Sequence, residues 1–178
     1  MKFLYYYIDN YLTPNEIKKL NSTFNKKAVK FTEQAATLKT SNAVQMPYEE
    51  VSKIKDINLT VLNINRLVFG FDVYESINDF IIQNTYKSKN RAEYKWHTDG
   101  EDYEKKYTIK LTTLLNLSEE SYAGGKLFLW DNEPVEVKQL NKPGSLVIFP
   151  SFVLHQVTPV TEGTRISATF FKTGRWWE

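Results

Sequence analysis

The chain has 178 residues, the length of one domain, and its 42% hydrophobic and 25% charged residues are typical of a globular protein. A formal net charge of +2 gives no strong attraction to nucleic acid, so nucleic acid is not favoured as a partner. Because there is no cysteine, disulfides, thiolate zinc sites and cysteine nucleophiles are excluded.

The N-terminal residues do not resemble a targeting segment. Asp9 and Asn10 end the first apolar run early, unlike the apolar region of a signal peptide. No apolar run reaches the roughly 18 to 20 residues of a membrane span. We therefore expect a soluble protein of the cytoplasm or another intracellular compartment, with no membrane partner.

One strand and one helix are predicted at the start of the chain. Phe3–Ile8 is an aromatic and apolar run typical of a strand. Thr13-Pro14-Asn15-Glu16 is a capping box with proline at the first helical position. The apolar residues that continue it at helical spacing are Ile17, Leu20 and Phe24.

A loop and a second helix are predicted next. Thr32–Pro47 is polar and unperiodic, whereas apolar residues from Val51 to Ile64 recur closely enough for a helix that ends before Gly70. The first 70 or so residues thus favour helices joined by loops.

The remainder predicts β-structure. Its segments are short, rich in β-branched and aromatic residues, and separated by Asp-Gly, Gly-Gly, Pro-Gly and Glu-Gly turn signals. The predicted strands are 80–82, 92–96, 107–117, 126–130, 135–137, 145–149, 155–160 and 165–172. This spacing is typical of an antiparallel sandwich or barrel. We predict a mainly β protein with N-terminal helices (α+β), whose helical layer packs on a double-sheet core.

The two histidines of the chain fall in one pattern. His97-Thr98-Asp99 ends a predicted strand, where residues i and i+2 project to the same face, and His155 begins another. Two histidines and one carboxylate form the facial triad of a non-haem Fe(II) site, which leaves coordination positions open. Zinc accepts the same ligands, so ligand type alone does not choose the metal.

Arg165 follows His155 across the Glu162-Gly163 turn. Strand alternation places Arg165, Ser167 and Thr169 on one face. An arginine that points into a β core beside a metal needs an anion. The guanidinium group, with a nearby hydroxyl, can bind the distal carboxylate of a dicarboxylic ligand whose other end chelates the metal.

In this order, the motifs resemble the Fe(II)/2-oxoglutarate dioxygenase superfamily, in particular its prolyl 4-hydroxylase branch with the PKHD-type hydroxylases. The matching segments are 94–99, 110–117, 122–127, 142–150, His155 and Arg165-Ile166-Ser167. The resemblance implies a double-stranded β-helix, or jelly roll, of two antiparallel sheets with helices on the major sheet. It implies one domain over 1–178, with a helical support region over 1–75 and a catalytic core over 76–178.

The resemblance also implies roles for individual residues. It makes His97, Asp99 and His155 the iron ligands and Arg165 the partner of the 2-oxoglutarate C5 carboxylate. The further co-substrate contacts would be Ser167, Tyr86 and Tyr94. Another tyrosine of the family falls on Leu115, so that a hydroxyl is missing there and Thr113 or Ser167 would replace it.

The implied activity is hydroxylation of a peptidyl proline or a related residue, with 2-oxoglutarate converted to succinate and CO2. Fe(II), 2-oxoglutarate, O2 and ascorbate would be required. Two alternatives remain: the same chemistry on a free amino acid or other small molecule, or a non-catalytic module that binds a metal and 2-oxoglutarate. Substrate-selecting residues are expected in Thr32–Pro47 and Tyr86–Tyr94, and Trp176-Trp177 would cover an apolar edge or dock a partner.

Overall fold

The computed structural model describes residues 3–31, 38–74, 80–99 and 107–175. These residues form three α-helices and thirteen β-strands. The helices are α1 (Pro14–Lys27), α2 (Tyr48–Ser52) and α3 (Ile57–Ile64). The strands are β1 (Tyr6–Ile8), β2 (Val29–Lys30), β3 (Asn42–Pro47), β4 (Phe80–Lys87), β5 (Tyr94–His97), β6 (Tyr107–Asn116), β7 (Ala123–Gly124), β8 (Leu127–Asp131), β9 (Glu133–Glu136), β10 (Leu146–Pro150), β11 (His155–Val157), β12 (Val160–Glu162) and β13 (Thr164–Arg175).

The strands form two main antiparallel sheets. The large sheet has the order β1-β10-β6-β13-β4-β3-β2, and the small sheet has the order β5-β11-β8-β9. A separate pair joins β12 to β7. The helices pack on the large sheet, so the predicted fold class, a jelly roll with helices on the major sheet, is confirmed.

Two apolar cores lie on the two faces of the large sheet, because successive side chains of a strand point to opposite sides. On one face, Leu115 and Phe170 pack with residues of the three helices. On the other, Leu114 and Val147 pack against Leu129 of the small sheet. The second face therefore encloses the space between the two sheets.

Helix α1 begins as the sequence predicts. The Thr13 side chain accepts a hydrogen bond from the Glu16 backbone N–H at 3.3 Å, and the Thr13 N–H donates to Glu16 Oε2 at 2.8 Å. This reciprocal pair is a capping box. On its buried face, Asn21 Nδ2 donates to the Leu117 carbonyl at 2.9 Å and ties the helix to the sheet.

The prediction of one helix over Val51–Ile64 is wrong, because a new helix cap interrupts it. Asp56 Oδ1 accepts the Leu59 N–H at 3.0 Å and the Tyr48 hydroxyl at 3.1 Å, so Asp56 is the N-cap of α3. A π-helical turn over Asn65–Phe69 follows α3 and ends at Gly70.

The prediction of a loop over Thr32–Pro47 is also wrong for its last part. Strand β3 pairs with β4 in the large sheet, and Met46 is fully buried. The other residues of β3 are polar, small or only half-buried, so the sequence carries no clear alternation. The N-terminal region thus contributes strands as well as helices, and its division from the core at residue 75 stays a prediction.

Three other predictions have separate outcomes. The strand predicted over 155–160 is divided into β11 and β12, with Thr158 and Pro159 between them; proline has no N–H to donate to a ladder. Trp176 and Trp177 lie outside the described residues. Of the helices that the structure describes, none has the length and apolar character needed to cross a membrane.

We predict that Gly144→Ala destabilises the protein more than Gly70→Ala. Both glycines have positive φ, +79° and +71°, which costs an L-residue roughly 1–2 kcal/mol. A Cβ at Gly144 would also lie 2.3 Å from the Leu12 carbonyl oxygen, whereas nothing lies within 4 Å of one at Gly70. That clash should add about 1–3 kcal/mol. Urea unfolding measures both variants, and equal losses would contradict the close approach.

Candidate active site

The pairing of β5 with β11 brings the two histidines together. His97 is directly opposite His155 in the antiparallel register, and their ring centroids are 4.1 Å apart. Asp99 follows β5, and its carboxylate oxygens lie 3.7 Å from His97 Nε2 and 3.4 Å from His155 Nε2. One ligand atom from each residue falls within 4.8 Å of the others, so the three side chains can hold one metal ion.

Backbone carbonyls orient both imidazoles. The Lys95 carbonyl lies 2.7 Å from His97 Nδ1, and the Val153 carbonyl lies 2.8 Å from His155 Nδ1. Because a carbonyl only accepts, each Nδ1 carries the proton, and each Nε2 of the neutral ring presents a lone pair toward Asp99.

Burial is the largest of the effects that lower the pKa of His97 to about 4, and the neighbouring His155 acts in the same direction. Asp99 raises this pKa, but by less. His97 is therefore neutral at pH 7, the form that binds a metal ion. Two imidazole nitrogens and one carboxylate fit the donor set of a non-haem Fe(II) site.

Asp99 is held from two directions. Its backbone N–H donates to the Ser151 carbonyl at 3.0 Å, which ties it to the loop between β10 and β11. Its Oδ2 accepts a hydrogen bond from Thr112 Oγ1 on β6. Asp99 is thus attached to the large sheet, whereas both histidines belong to the small sheet.

Arg165 is a buried cation with one hydrogen bond. Arg165 is 1% exposed, and its Nη1 donates to Ser167 Oγ at 3.0 Å. The guanidinium carbon lies 5.1 Å from the ring centroid of Tyr86, which is opposite Arg165 in the register of β4 and β13. Within the described ranges, no carboxylate forms an ion pair with Arg165. A buried charge of this kind is costly unless an anion pairs with it.

Tyr94 stacks on His97, with ring centroids 3.5 Å apart and planes at 13°. Lys39 Nζ also lies over the Tyr94 ring, 4.9 Å from its centroid. Backbone hydrogen bonds fix this segment to β5, since the Thr40 N–H donates to the Glu93 carbonyl at 3.1 Å and the Lys95 N–H to the Leu38 carbonyl at 2.9 Å. The segment before β3 therefore reaches the site.

One pocket between the two sheets contains all the predicted site residues. They are His97, Asp99, His155, Arg165, Ser167, Tyr86 and Tyr94. Their individual roles stay predictions. Thr169 lines the same pocket, as the alternation along β13 predicted, whereas Ala168 and Phe170 face the helices.

Leu115, on which the resemblance places another tyrosine of the family, does not line the pocket. Leu115 packs in the core beneath the helices, and Leu114 lines the pocket. Thr113 also lies on the face away from the pocket and cannot supply a hydroxyl there, whereas Ser167 can. A one-residue shift along a strand exchanges its two faces, so an alignment error of one position reverses such an assignment.

Several residues of the site escaped sequence reasoning. Thr112, Asn84 and Lys39 line the pocket, and the alternation along β4 and β6 identifies the first two once the strand registers are known. The sequence predicts Gly125 only as part of a Gly-Gly turn. A Cβ there would lie 2.8 Å from Arg165 Cδ, so its missing side chain leaves space for the arginine.

Comparison with known proteins agrees with this geometry. The family model of the 2OG-Fe(II) oxygenase superfamily matches residues 82–172. A PKHD-type hydroxylase of Nitrosomonas eutropha is 30% identical over 177 residues, which cover 92% of this chain and 76% of that protein.

Solved structures share the fold. A prolyl-4-hydroxylase of Pseudomonas putida superposes with a TM-score of 0.72 at 19% identity, covering 97% of this chain and 94% of that one. A Trichoplax adhaerens prolyl hydroxylase, in complex with a peptide of hypoxia inducible factor, has a TM-score of 0.70 at 15% identity, covering 95% of this chain and 83% of that one.

Members of this family use Fe(II), 2-oxoglutarate and O2. The family match spans the strands that carry both histidines, Asp99 and Arg165, and the relative's similarity extends over nearly the whole chain. The chain is a 2-oxoglutarate-dependent hydroxylase and belongs to the 2OG-Fe(II) oxygenase superfamily, in the branch of the PKHD-type hydroxylases.

Proposed function

We propose that this chain hydroxylates a prolyl residue of a peptide or protein, with His97, Asp99 and His155 as iron ligands and Arg165 as the partner of the distal carboxylate of 2-oxoglutarate. One observation carries the proposal: the buried Arg165 guanidinium, which pairs with no carboxylate of the described residues, lines the same pocket as the three metal-ligand candidates.

Different pocket residues bind different parts of 2-oxoglutarate. Arg165 pairs with the distal carboxylate by charge-assisted hydrogen bonds, and Ser167 fixes the orientation of the guanidinium. Tyr86 supports the guanidinium through its ring face. Ile82, Leu114 and Val157 supply apolar walls that exclude water along the carbon chain.

Bound iron supplies the oxidative chemistry, in which O2 and 2-oxoglutarate give succinate, CO2 and one oxygen atom for the substrate. Around it, each histidine keeps its Nδ1 proton on a backbone carbonyl and so presents Nε2. Tyr94 restricts rotation of the His97 ring by stacking on it. We propose that Tyr94 also contacts the co-substrate, and that the reaction would require ascorbate as a reductant.

A peptide substrate is supported by the peptide complex of the Trichoplax adhaerens relative, whose fold this chain shares. The segment around Lys39 lines the pocket beside Tyr94 and is fixed to β5. This position beside the metal-ligand candidates supports the substrate-selecting role expected for Thr32–Pro47.

A substrate panel tests the choice of proline. Prolyl peptides, free proline and other small metabolites are incubated with the protein, Fe(II), 2-oxoglutarate and ascorbate, and each is scored by mass spectrometry for a gain of one oxygen. We expect the gain on a peptidyl proline. A gain confined to free amino acids or other small molecules would refute the proline assignment, and no 2-oxoglutarate turnover would support a non-catalytic module.

His155→Ala should lower Fe(II)-dependent succinate formation by about 100-fold or more, since loss of a direct ligand should exceed the 10- to 100-fold effect typical of the outer shell. Succinate is quantified by NMR. Gln156→Ala is the matched control, because Gln156 is the next residue of β11 and does not line the pocket. Comparable succinate formation by His155→Ala and the wild type would exclude His155 as a ligand.

Arg165→Met should raise the KM for 2-oxoglutarate about 30-fold or more, because loss of a buried, hydrogen-bonded charge pair costs about 2 kcal/mol or more. With Mn(II) present throughout, added 2-oxoglutarate should raise the unfolding temperature of the wild type further but not that of the variant.

Arg175→Met is the control for Arg165→Met. Arg175 ends the same strand, and its side chain is exposed to solvent, beside Asp72. If Arg165→Met kept the wild-type KM for 2-oxoglutarate, Arg165 would not be a co-substrate contact.

A further inference from the structure

Thr112 is a buried polar residue that contacts the carboxylate of the metal-ligand candidates. It lies in β6 of the large sheet, is 1% exposed, and lines the pocket. Its hydroxyl donates to Asp99 Oδ2. Among the described residues, no other side chain donates a hydrogen bond to the Asp99 carboxylate.

The other attachment of Asp99 acts on its backbone. The hydrogen bond from its N–H to the Ser151 carbonyl places the Cα but leaves rotation of the side chain open. A hydrogen bond to one carboxylate oxygen stops that rotation, because Thr112 is anchored in a strand paired on both sides, with Phe149 and Phe171 opposite it.

A carboxylate can bind a metal through one oxygen or through two. Two imidazole nitrogens and one carboxylate oxygen leave half of an octahedral site open, enough for a chelating 2-oxoglutarate and O2. A second carboxylate oxygen would fill one of those positions. Oδ2 accepts a hydrogen bond from Thr112 and lies 3.4 Å from His155 Nε2, whereas Oδ1 lies 3.7 Å from His97 Nε2. The orientation of the carboxylate about its Cβ–Cγ bond therefore decides which oxygen faces each histidine.

We propose that Thr112 is a positioning residue, whose hydrogen bond to Oδ2 holds the Asp99 carboxylate in the orientation in which it binds the metal beside the two histidines. This inference rests on the proposed function, because it takes Asp99 to be a metal ligand. It adds a residue on the opposite sheet to the two backbone carbonyls that orient the histidines.

The neighbouring Thr113 offers a matched control. It is fully buried in the same strand but lies on the helix-facing side, and its Oγ1 has no hydrogen-bond partner among the described residues. Thr112→Val and Thr113→Val therefore remove the same hydroxyl group from adjacent buried positions, and only the first removes a contact with Asp99.

The experiment measures Mn(II) binding, with free Mn(II) quantified by electron paramagnetic resonance. We expect Thr112→Val to weaken the affinity about 10- to 100-fold, the effect typical of outer-shell partners. Thr113→Val should bind like the wild type, and Thr112→Ser, which keeps the hydroxyl, should restore most of the affinity. Urea unfolding of the metal-free proteins checks that the variants are folded, and Thr112→Ala replaces the valine variant if that one is not.

The outcomes separate this inference from the proposed function. If the wild type binds neither Mn(II) nor 2-oxoglutarate, both are overturned. If the wild type binds and Thr112→Val binds equally well, only the role of Thr112 is overturned. Equal weakening in Thr112→Val and Thr112→Ser, or in Thr112→Val and Thr113→Val, would also overturn it, since packing and not the hydroxyl would then control the affinity.

Discussion

The register of β5 against β11 is the constraint on which the site depends. It places His97 directly opposite His155, so two imidazoles from distant parts of the chain lie side by side. Each ring is then turned by the carbonyl of a residue two positions earlier. A shift of one residue in this register would send one of the histidines to the other face of the sheet. The ligand geometry is therefore a property of backbone pairing.

The large sheet supplies the other half of the site from a surface that has two different faces. Toward the helices it presents apolar residues such as Leu115 and Phe170. Toward the pocket it presents polar groups, among them Thr112 and Arg165. Burying Arg165 without a carboxylate partner in the described chain costs stability, and an anionic co-substrate would offset that cost. This is the physical basis for the proposal that Arg165 binds the distal carboxylate of 2-oxoglutarate.

Much of the chemistry was predictable from local sequence. Residue type and order along the chain identify His97-Thr98-Asp99, His155 and Arg165 as candidate site residues. Strand alternation places Thr169 on the same face as Arg165. The capping box of α1 is equally local. Other elements were not predictable in this way. Strand β3 has little alternation because its polar residues are only partly buried. Asp56 begins a new helix by accepting the Leu59 N–H, and the Tyr48 hydroxyl, eight residues earlier, donates to the same carboxylate oxygen.

The sequence by itself determined which side chains are available: two histidines, the nearby Asp99, and an arginine that alternation directs into the core. Only the tertiary structure decided which neighbours complete them. It selected Thr112 over Thr113 and Leu114 over Leu115, and it showed why Gly125 leaves space for Arg165. The physical reason is that these choices depend on register between strands far apart in the chain, and register is set by long-range pairing and packing of the two sheets.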